Sequence, residues 1–230
     1  MPENFQPERR LIITEDGSHT FALEGVKEHY HSTYGAMQES RHVFIENGFN
    51  IMLSTNETIR ILEVGFGTGL NALLTYLEAL KTGATVVYHA IEPYPLKPEE
   101  YKALNYPKLI GDAEAEKFFL QLHESPYNKE VAIAPQFLLR KYPVTLNEAK
   151  WPSKHFDLVY YDAFGPEVHP ELWELTAFKK VFAALRLGGV LTTYCSKGGV
   201  RRGLKSAGFY VSKMPGPQGK REITHAKKLS

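Results

Sequence analysis

Ile61-Leu62-Glu63-Val64-Gly65-Phe66-Gly67-Thr68-Gly69 decides how this sequence folds. A short apolar run reads as a strand, and the glycines that follow sit where the backbone must turn sharply into a helix and let a ligand approach the helix start. The G-x-G-x-G spacing differs from the G-x-G-x-x-G of dinucleotide enzymes, whose third glycine falls one position later for helix packing. Glu63 points the same way, because a carboxylate ahead of the first glycine pairs with a cationic ligand and repels a pyrophosphate. The stretch predicts a cradle for S-adenosylmethionine built by Glu63, Gly65, Gly67 and Gly69. A glycine turn without a ligand is the alternative.

Downstream, short apolar runs over 86–91, 156–162 and 189–195 alternate with helical segments, the pattern of a parallel sheet covered on both faces. Further strands are expected over 134–142, 209–213 and 222–226, and helices over 99–104, 112–124 and 170–187. In the last of these Pro170 suits the first turn and Gly188-Gly189 the stop. Twenty-three residues after Gly69 the second strand ends in Glu92, where a carboxylate can accept hydrogen bonds from ribose hydroxyls. The third ends in Asp162, on the same rim as the glycine loop. Methyl transfer from a sulfonium needs a neutral, oriented nucleophile, and an alkylamine of pKa ~10 is mostly protonated at neutral pH. A carboxylate beside the amine can orient it and help remove its proton, which makes Asp162 the leading catalytic candidate; a turn or cap role is the alternative.

Upstream, apolar runs on either side of Glu15-Asp16-Gly17-Ser18 read as a hairpin, and loosely spaced apolar residues over 34–53 as a helix. The organisation expected is an N-terminal hairpin and helix appendage over 1–55 and a methyltransferase domain over 56–230. The 230 residues are 43% hydrophobic and 23% charged, in the range of a folded globular protein, which excludes disorder and fibrous repeats. One cysteine, Cys195, cannot form an internal disulfide and reads as a small buried residue. With no signal pattern and no apolar run long enough to span a bilayer, the expectation is a cytoplasmic protein without a membrane partner.

The net charge of +1 hides an asymmetry: residues 196–230 carry nine Lys or Arg against Glu222 alone, +8, and the other 195 residues carry −7. Lys197, Arg201, Arg202, Lys220 and Arg221 could converge on one rim and cradle phosphates, so an RNA partner is expected; a solvated basic surface is the alternative. His29, His31 and His169 lack a supporting cysteine or acid cluster, and no metal is assigned.

The motifs to weigh together are Glu39-Ser40-Arg41-His42-Val43-Phe44, Gly65-Phe66-Gly67-Thr68-Gly69-Leu70-Asn71, Asp162-Ala163-Phe164-Gly165-Pro166 with Pro170-Glu171-Leu172-Trp173, residues 196–204, and Gly219-Lys220-Arg221-Glu222. In combination they resemble one family, the methyltransferase domain of bacterial MnmC, which also occurs as the stand-alone MnmD. The likeness runs from about Phe5 to Lys228. It implies a Rossmann-like class I α/β fold with a seven-stranded, mostly parallel sheet. It also implies S-adenosylmethionine-dependent N-methylation of the 5-aminomethyl group of 2-thiouridine at the tRNA wobble position. In this reading Asp162 matches the catalytic aspartate and Glu92 the acid after the second strand. No FAD is expected in this chain, so a separate enzyme would supply the aminomethyl substrate. For the adenine contact the sequence offers Asn147 or Glu148. Two other functions fit the same residues: methyl or aminopropyl transfer to a small-molecule amine, and a non-catalytic RNA-binding module.

Overall fold

The runs flanking Glu15–Ser18 pair as expected. Strands β1 (Arg9–Ile13) and β2 (His19–Leu23) form an antiparallel hairpin, with Gly17 at φ +80° in the turn. The computed structural model describes residues 8–53 and 57–229, so Phe5 and the expected domain boundary at 55/56 lie outside the described residues. The helix expected over 34–53 forms in three parts: α1 (Ala36–Ser40), a wider π-helical stretch (Arg41–Phe49) and α2 (Asn50–Leu53). The Asn50 N–H reaches back five residues to the Ile45 carbonyl, which marks the wide turn.

The main sheet is built from β3 (Thr58–Val64), β4 (Thr85–Ile91), β5 (Glu130–Ala134), β6 (Phe137–Tyr142), β7 (Phe156–Tyr161), β8 (Leu185–Thr193), β9 (Tyr210–Pro215) and β10 (Glu222–Lys227). Helices α3 (Leu70–Thr82), α4 (Pro98–Lys102), α5 (Tyr106–Ile110), α6 (Ala113–Glu124), α7 (Leu175–Ala184) and α8 (Gly198–Ser206) lie between them. The strand order is β5-β6-β4-β3-β7-β8-β10-β9. The five strands from β6 to β8 are parallel, while β5, β10 and β9 run antiparallel to their neighbours. All six residues of β7 are buried, as a central strand covered on both faces requires. One face is covered by α3, α6 and the segment 36–53, whose Val43, Phe44 and Phe49 share a core with Ile59, Ile61 and Leu73. The other is covered by α7 and α8 through Phe178, Val181, Val200 and Leu204. Cys195 is buried there.

The architecture is the expected Rossmann-like one, with two local differences. The sheet has eight strands where seven are expected, because the run 134–142 is the second arm of a hairpin turning at 135–136. The first arm, β5, is a half-exposed edge with weak apolar alternation and leaves little trace in the sequence. The expected helix over 170–187 is shorter and broken. Pro170 opens a 3₁₀ turn (Pro170–Trp173), Glu174 is extended (φ −91°, ψ 165°), and α7 ends at Ala184. Gly188-Gly189 does not stop a helix. It forms an irregularity inside β8, where the register against β7 shifts and Gly188 sits at φ +80°.

Helix α8 approaches α7 through Gly203, where an added Cβ would lie 2.7 Å from the Phe178 ring. Gly203→Ala should therefore destabilise the protein by about 1–3 kcal/mol in urea unfolding, although alanine is the better helix former. An unchanged or raised midpoint would mean that this helix pair has room to spare.

Candidate active site

Strand β3 is the point at which the sheet order reverses: the chain proceeds to β4 on one side and β7 on the other. Ligands bind at such switch points, beyond the carboxyl ends of the strands. The register is explicit, since Val64 pairs with Ile91 of β4 and with Tyr161 of β7. The next residue on each strand is Gly65, Glu92 and Asp162, so the three candidates picked from separate parts of the sequence lie side by side. They line one cleft together with Gly67, Thr68, Asn71, Tyr30, Arg9 and residues 145–147.

The glycines are required by the turn. Gly65, Gly67 and Gly69 have φ of +93°, +50° and +72°. A Cβ on Gly65 would lie 2.6 Å from the Asp162 carbonyl oxygen, so the loop and the end of β7 close on each other only without a side chain there. The Gly65 and Phe66 N–H groups donate to the Ile91 carbonyl at 3.1 Å, and Asp162 N–H to the Val64 carbonyl at 2.9 Å. Gly69 caps α3 without a side-chain bond, which leaves the first N–H groups of that helix facing the loop.

Behind the loop, one amide joins two carboxyls. Asn71 Nδ2 donates to Glu63 Oε1 at 2.9 Å and to Asp162 Oδ2 at 2.7 Å. Glu63 is fully buried and does not line the cleft, so Asn71 stands between it and any ligand. Burial pushes the Glu63 carboxyl well above its usual range, against the pull of the Asn71 bond. Burial, with the Glu39 charge added, raises Asp162 to about 7; the Asn71 bond and the Lys220 charge act in the opposite direction. Asn71 Oδ1 is a buried acceptor with no hydrogen-bond partner among the described residues. Asn71 closes the Gly-Leu-Asn end of the glycine motif, and the sequence reading did not single it out.

Glu92 holds the loop from the other side. Its carboxylate accepts the Gly67 N–H at 2.9 Å and the Tyr94 N–H at 2.8 Å. Burial raises its pKa, and these two backbone bonds pull it back. Tyr30, from the N-terminal segment, packs at 4.9 Å edge-on to Phe164 and against Gly67, where a Cβ would meet its ring at 3.0 Å. Arg9 Nε donates to the Tyr30 hydroxyl at 2.8 Å and Arg9 Nη2 to the Tyr94 carbonyl at 2.7 Å, so the hairpin is fastened across the cleft mouth. Neither residue carries a motif visible in the sequence. Of the two adenine candidates, Asn147 lines the cleft, whereas the Glu148 carboxylate turns back to accept from Thr145.

The five basic candidates separate. Arg202 and Arg221 are exposed, and Lys197 is exposed and paired with Glu167. Arg201 is held against β10, donating to Thr224 Oγ1 at 3.1 Å and Glu222 Oε2 at 2.8 Å. Lys220 turns inward to Glu39. His31 lies among Thr20 and Thr68 and is buried, which lowers its pKa to about 4 and keeps it neutral. Among the described residues no group of three or more His, Cys, Asp or Glu side chains could hold a metal ion, and no helix is long and apolar enough to cross a membrane.

The orphaned Asn71 acceptor, the Glu92 carboxylate and the open helix start suit a ligand with cationic and ribose groups, so the cleft fits S-adenosylmethionine. A family described as S-adenosyl-L-methionine-dependent methyltransferase matches residues 139–229. The fold, the glycine loop and this match define a Rossmann-like class I methyltransferase that uses S-adenosylmethionine. The protein named tRNA 5-methylaminomethyl-2-thiouridine biosynthesis bifunctional protein MnmC from Chromobacterium violaceum is 31% identical over 230 residues, 93% of this chain and 34% of that protein. The protein of the same name from Cupriavidus metallidurans is 31% identical over 212 residues, 86% of this chain and 31% of that protein. The crystal structure of MNMC2 from Aquifex aeolicus superposes with a TM-score of 0.78 at 26% identity, covering 100% of this chain and 73% of that one. The chain is thus similar over most of its own length to MnmC proteins, and it spans about a third of the length of the curated relatives it matches.

Because the native Asp162 carboxyl holds its proton up to about 7 while the unfolded one releases it near 4, the folded state binds more protons between those values. Stability should fall as pH rises through that window and level off above it. Asp162→Asn should flatten part of this slope and raise the thermal midpoint relative to wild type at pH 8. A variant melting lower than wild type at pH 8, with an unchanged slope, would show that the carboxyl is not held protonated. Gly65→Ala should abolish measurable S-adenosylmethionine binding by calorimetry, because both the positive φ and the Asp162 carbonyl exclude a Cβ.

Proposed function

We propose that this chain methylates the primary amine of a 5-aminomethyl group on 2-thiouridine at the tRNA wobble position. The observation that carries the reading is Asp162: a carboxyl at the base of the cleft, level with the glycine loop and with a pKa of about 7, matched to accepting a proton near neutrality. The acceptor class is supported by relatives whose names place them in tRNA 5-methylaminomethyl-2-thiouridine biosynthesis. It is also supported by the charge of +8 over residues 196–230.

S-adenosylmethionine, when bound, supplies an electrophilic methyl group. The residues assigned to hold it are Gly65, Gly67 and Gly69 through their backbone, Glu92 at the ribose, Asn147 at the adenine and Asn71 with Glu63 behind it. Asp162 takes one proton from the acceptor ammonium and orients the free amine. With the cofactor bound, its methyl group would pass to that amine, the carbon–sulfur bonding pair staying on sulfur and the methylated amine keeping its surplus proton. Asn71 keeps the Asp162 carboxyl from turning away by donating to it. Arg202, Arg221 and Lys197 are assigned to RNA phosphates; Arg201 supports them by bracing β10.

Labelled S-adenosylmethionine and tRNA bearing the aminomethyl base should give label in the wobble nucleoside, with a KM for tRNA that climbs steeply with salt. Asp162→Asn should keep cofactor affinity and lose about 10²–10⁴-fold in kcat. In the wild type kcat should rise with pH through about 7, as the carboxylate form becomes populated. Cofactor bound with no label transferred would overturn the assignment, and salt-insensitive transfer to a small amine would favour a small-molecule enzyme.

A further inference from the structure

A primary ammonium of the protein itself, that of Lys220, is held near enough to Asp162 for its charge to act on that carboxyl. Lys220 Nζ lies 2.5 Å from Glu39 Oε1 and 4.2 Å from the centre of the Tyr194 ring. Each wall of this position is fixed from outside. Glu39 is buried, and its second oxygen accepts the Ser32 N–H at 2.7 Å. The Tyr194 hydroxyl donates to the Ala163 carbonyl at 2.8 Å, one residue from Asp162. Gly219 brings the lysine in: its φ is +81°, and a Cβ there would strike the Tyr34 ring at 2.2 Å. Glu39, Tyr194 and Lys220 do not line the cofactor cleft; the Tyr194 bond to Ala163, which does line it beside Asp162, joins this second position to it. Asp162 feels the charges of both Glu39 and Lys220.

A carboxylate with an aromatic face is a recognition device for alkylammonium ions, whereas a phosphate would be repelled by Glu39. A lysine ammonium and a protonated aminomethyl group are the same chemical class. We propose that Glu39 and Tyr194 form the amine subsite of the acceptor, and that Lys220 fills it until the substrate ammonium displaces it. Exchange of one ammonium for another never leaves the buried Glu39 carboxylate uncompensated, which would be costly. It also favours RNA that carries the amine, because only an ammonium gains the contact with Glu39, against the competition of Lys220. The inference rests on the amine-acceptor reading above.

The test compares binding of tRNA with and without the aminomethyl group to the cofactor-loaded wild type, Glu39→Gln and Lys220→Met, each checked by thermal melting. Glu39→Gln should lose the preference for the aminomethyl tRNA by roughly tenfold or more, with affinity for the plain tRNA unchanged. Lys220→Met should keep or increase that preference. Equal weakening of both tRNAs by Lys220→Met would make it a phosphate contact, and equal weakening by Glu39→Gln would make Glu39 a structural residue; either result overturns the proposal. A separate arm uses ethylammonium chloride against matched sodium chloride. The added stabilisation should be larger for Lys220→Met than for wild type, whose own lysine holds the subsite, and equal stabilisation overturns it. If wild type fails to methylate tRNA while this arm succeeds, the subsite stands for another amine and the tRNA assignment alone falls.

Discussion

A single amide joins two carboxyl groups, one fully buried and one at the base of the cleft, and the site depends on that arrangement. Asn71, on the first turn of α3, gives one N–H to Glu63 at the end of β3 and the other to Asp162 beyond β7. Burial drives both pKa values up; the Asp162 charge adds to the rise at Glu63, and the Glu39 charge to the rise at Asp162. The amide converts a repulsion between neighbouring strand ends into a fixed geometry. It also ties the helix that carries the glycine loop to the strand that carries the candidate base, so neither can shift alone.

The sheet supplies the rest of the alignment. Because Val64 is level with Ile91 and Tyr161, three strand ends deliver the glycine loop and the carboxyls of Glu92 and Asp162 to one height. Gly65 lets them close up, since any side chain would meet the Asp162 carbonyl. The hairpin completes the cleft from outside, with Arg9 and Tyr30 linking it to Tyr94 and the glycine loop. Side chains that would otherwise decorate a surface thereby become walls.

Much of this was legible in the sequence because it lives in short-range signals. The glycine loop, Glu92 and Asp162 follow apolar strands directly, and strand order then brings them together. What was not legible depends on long-range packing. Arg9 and Tyr30 have no motif, and only the folded hairpin brings them to the cleft. Asn71 stands at the end of the glycine motif with no role given to it from sequence, although its place on the first helical turn after the loop was a usable signal. Arg201 and Lys220 read as two members of one basic rim, yet partners distant in sequence, Glu222 and Glu39, redirect both. The break at Glu174 and the hairpin of β5 with β6 were missed because apolar periodicity does not report a local extended residue or a polar edge strand.

The wide turn at Arg41–Phe49 explains why apolar spacing there is only loosely helical. A regular helix advances about 100° per residue, so a single surplus residue re-phases everything beyond it. Glu39, before the bulge, faces the amine position, while Phe44 and Phe49 still reach the core, and the Val43 carbonyl is bonded at 3.0 Å by Thr192 Oγ1 of β8. The segment's length is thus a calibrated quantity: adding or removing one residue would rotate the acid away from its partner or pull the aromatic anchors from the sheet, however conservative the replacement chemistry.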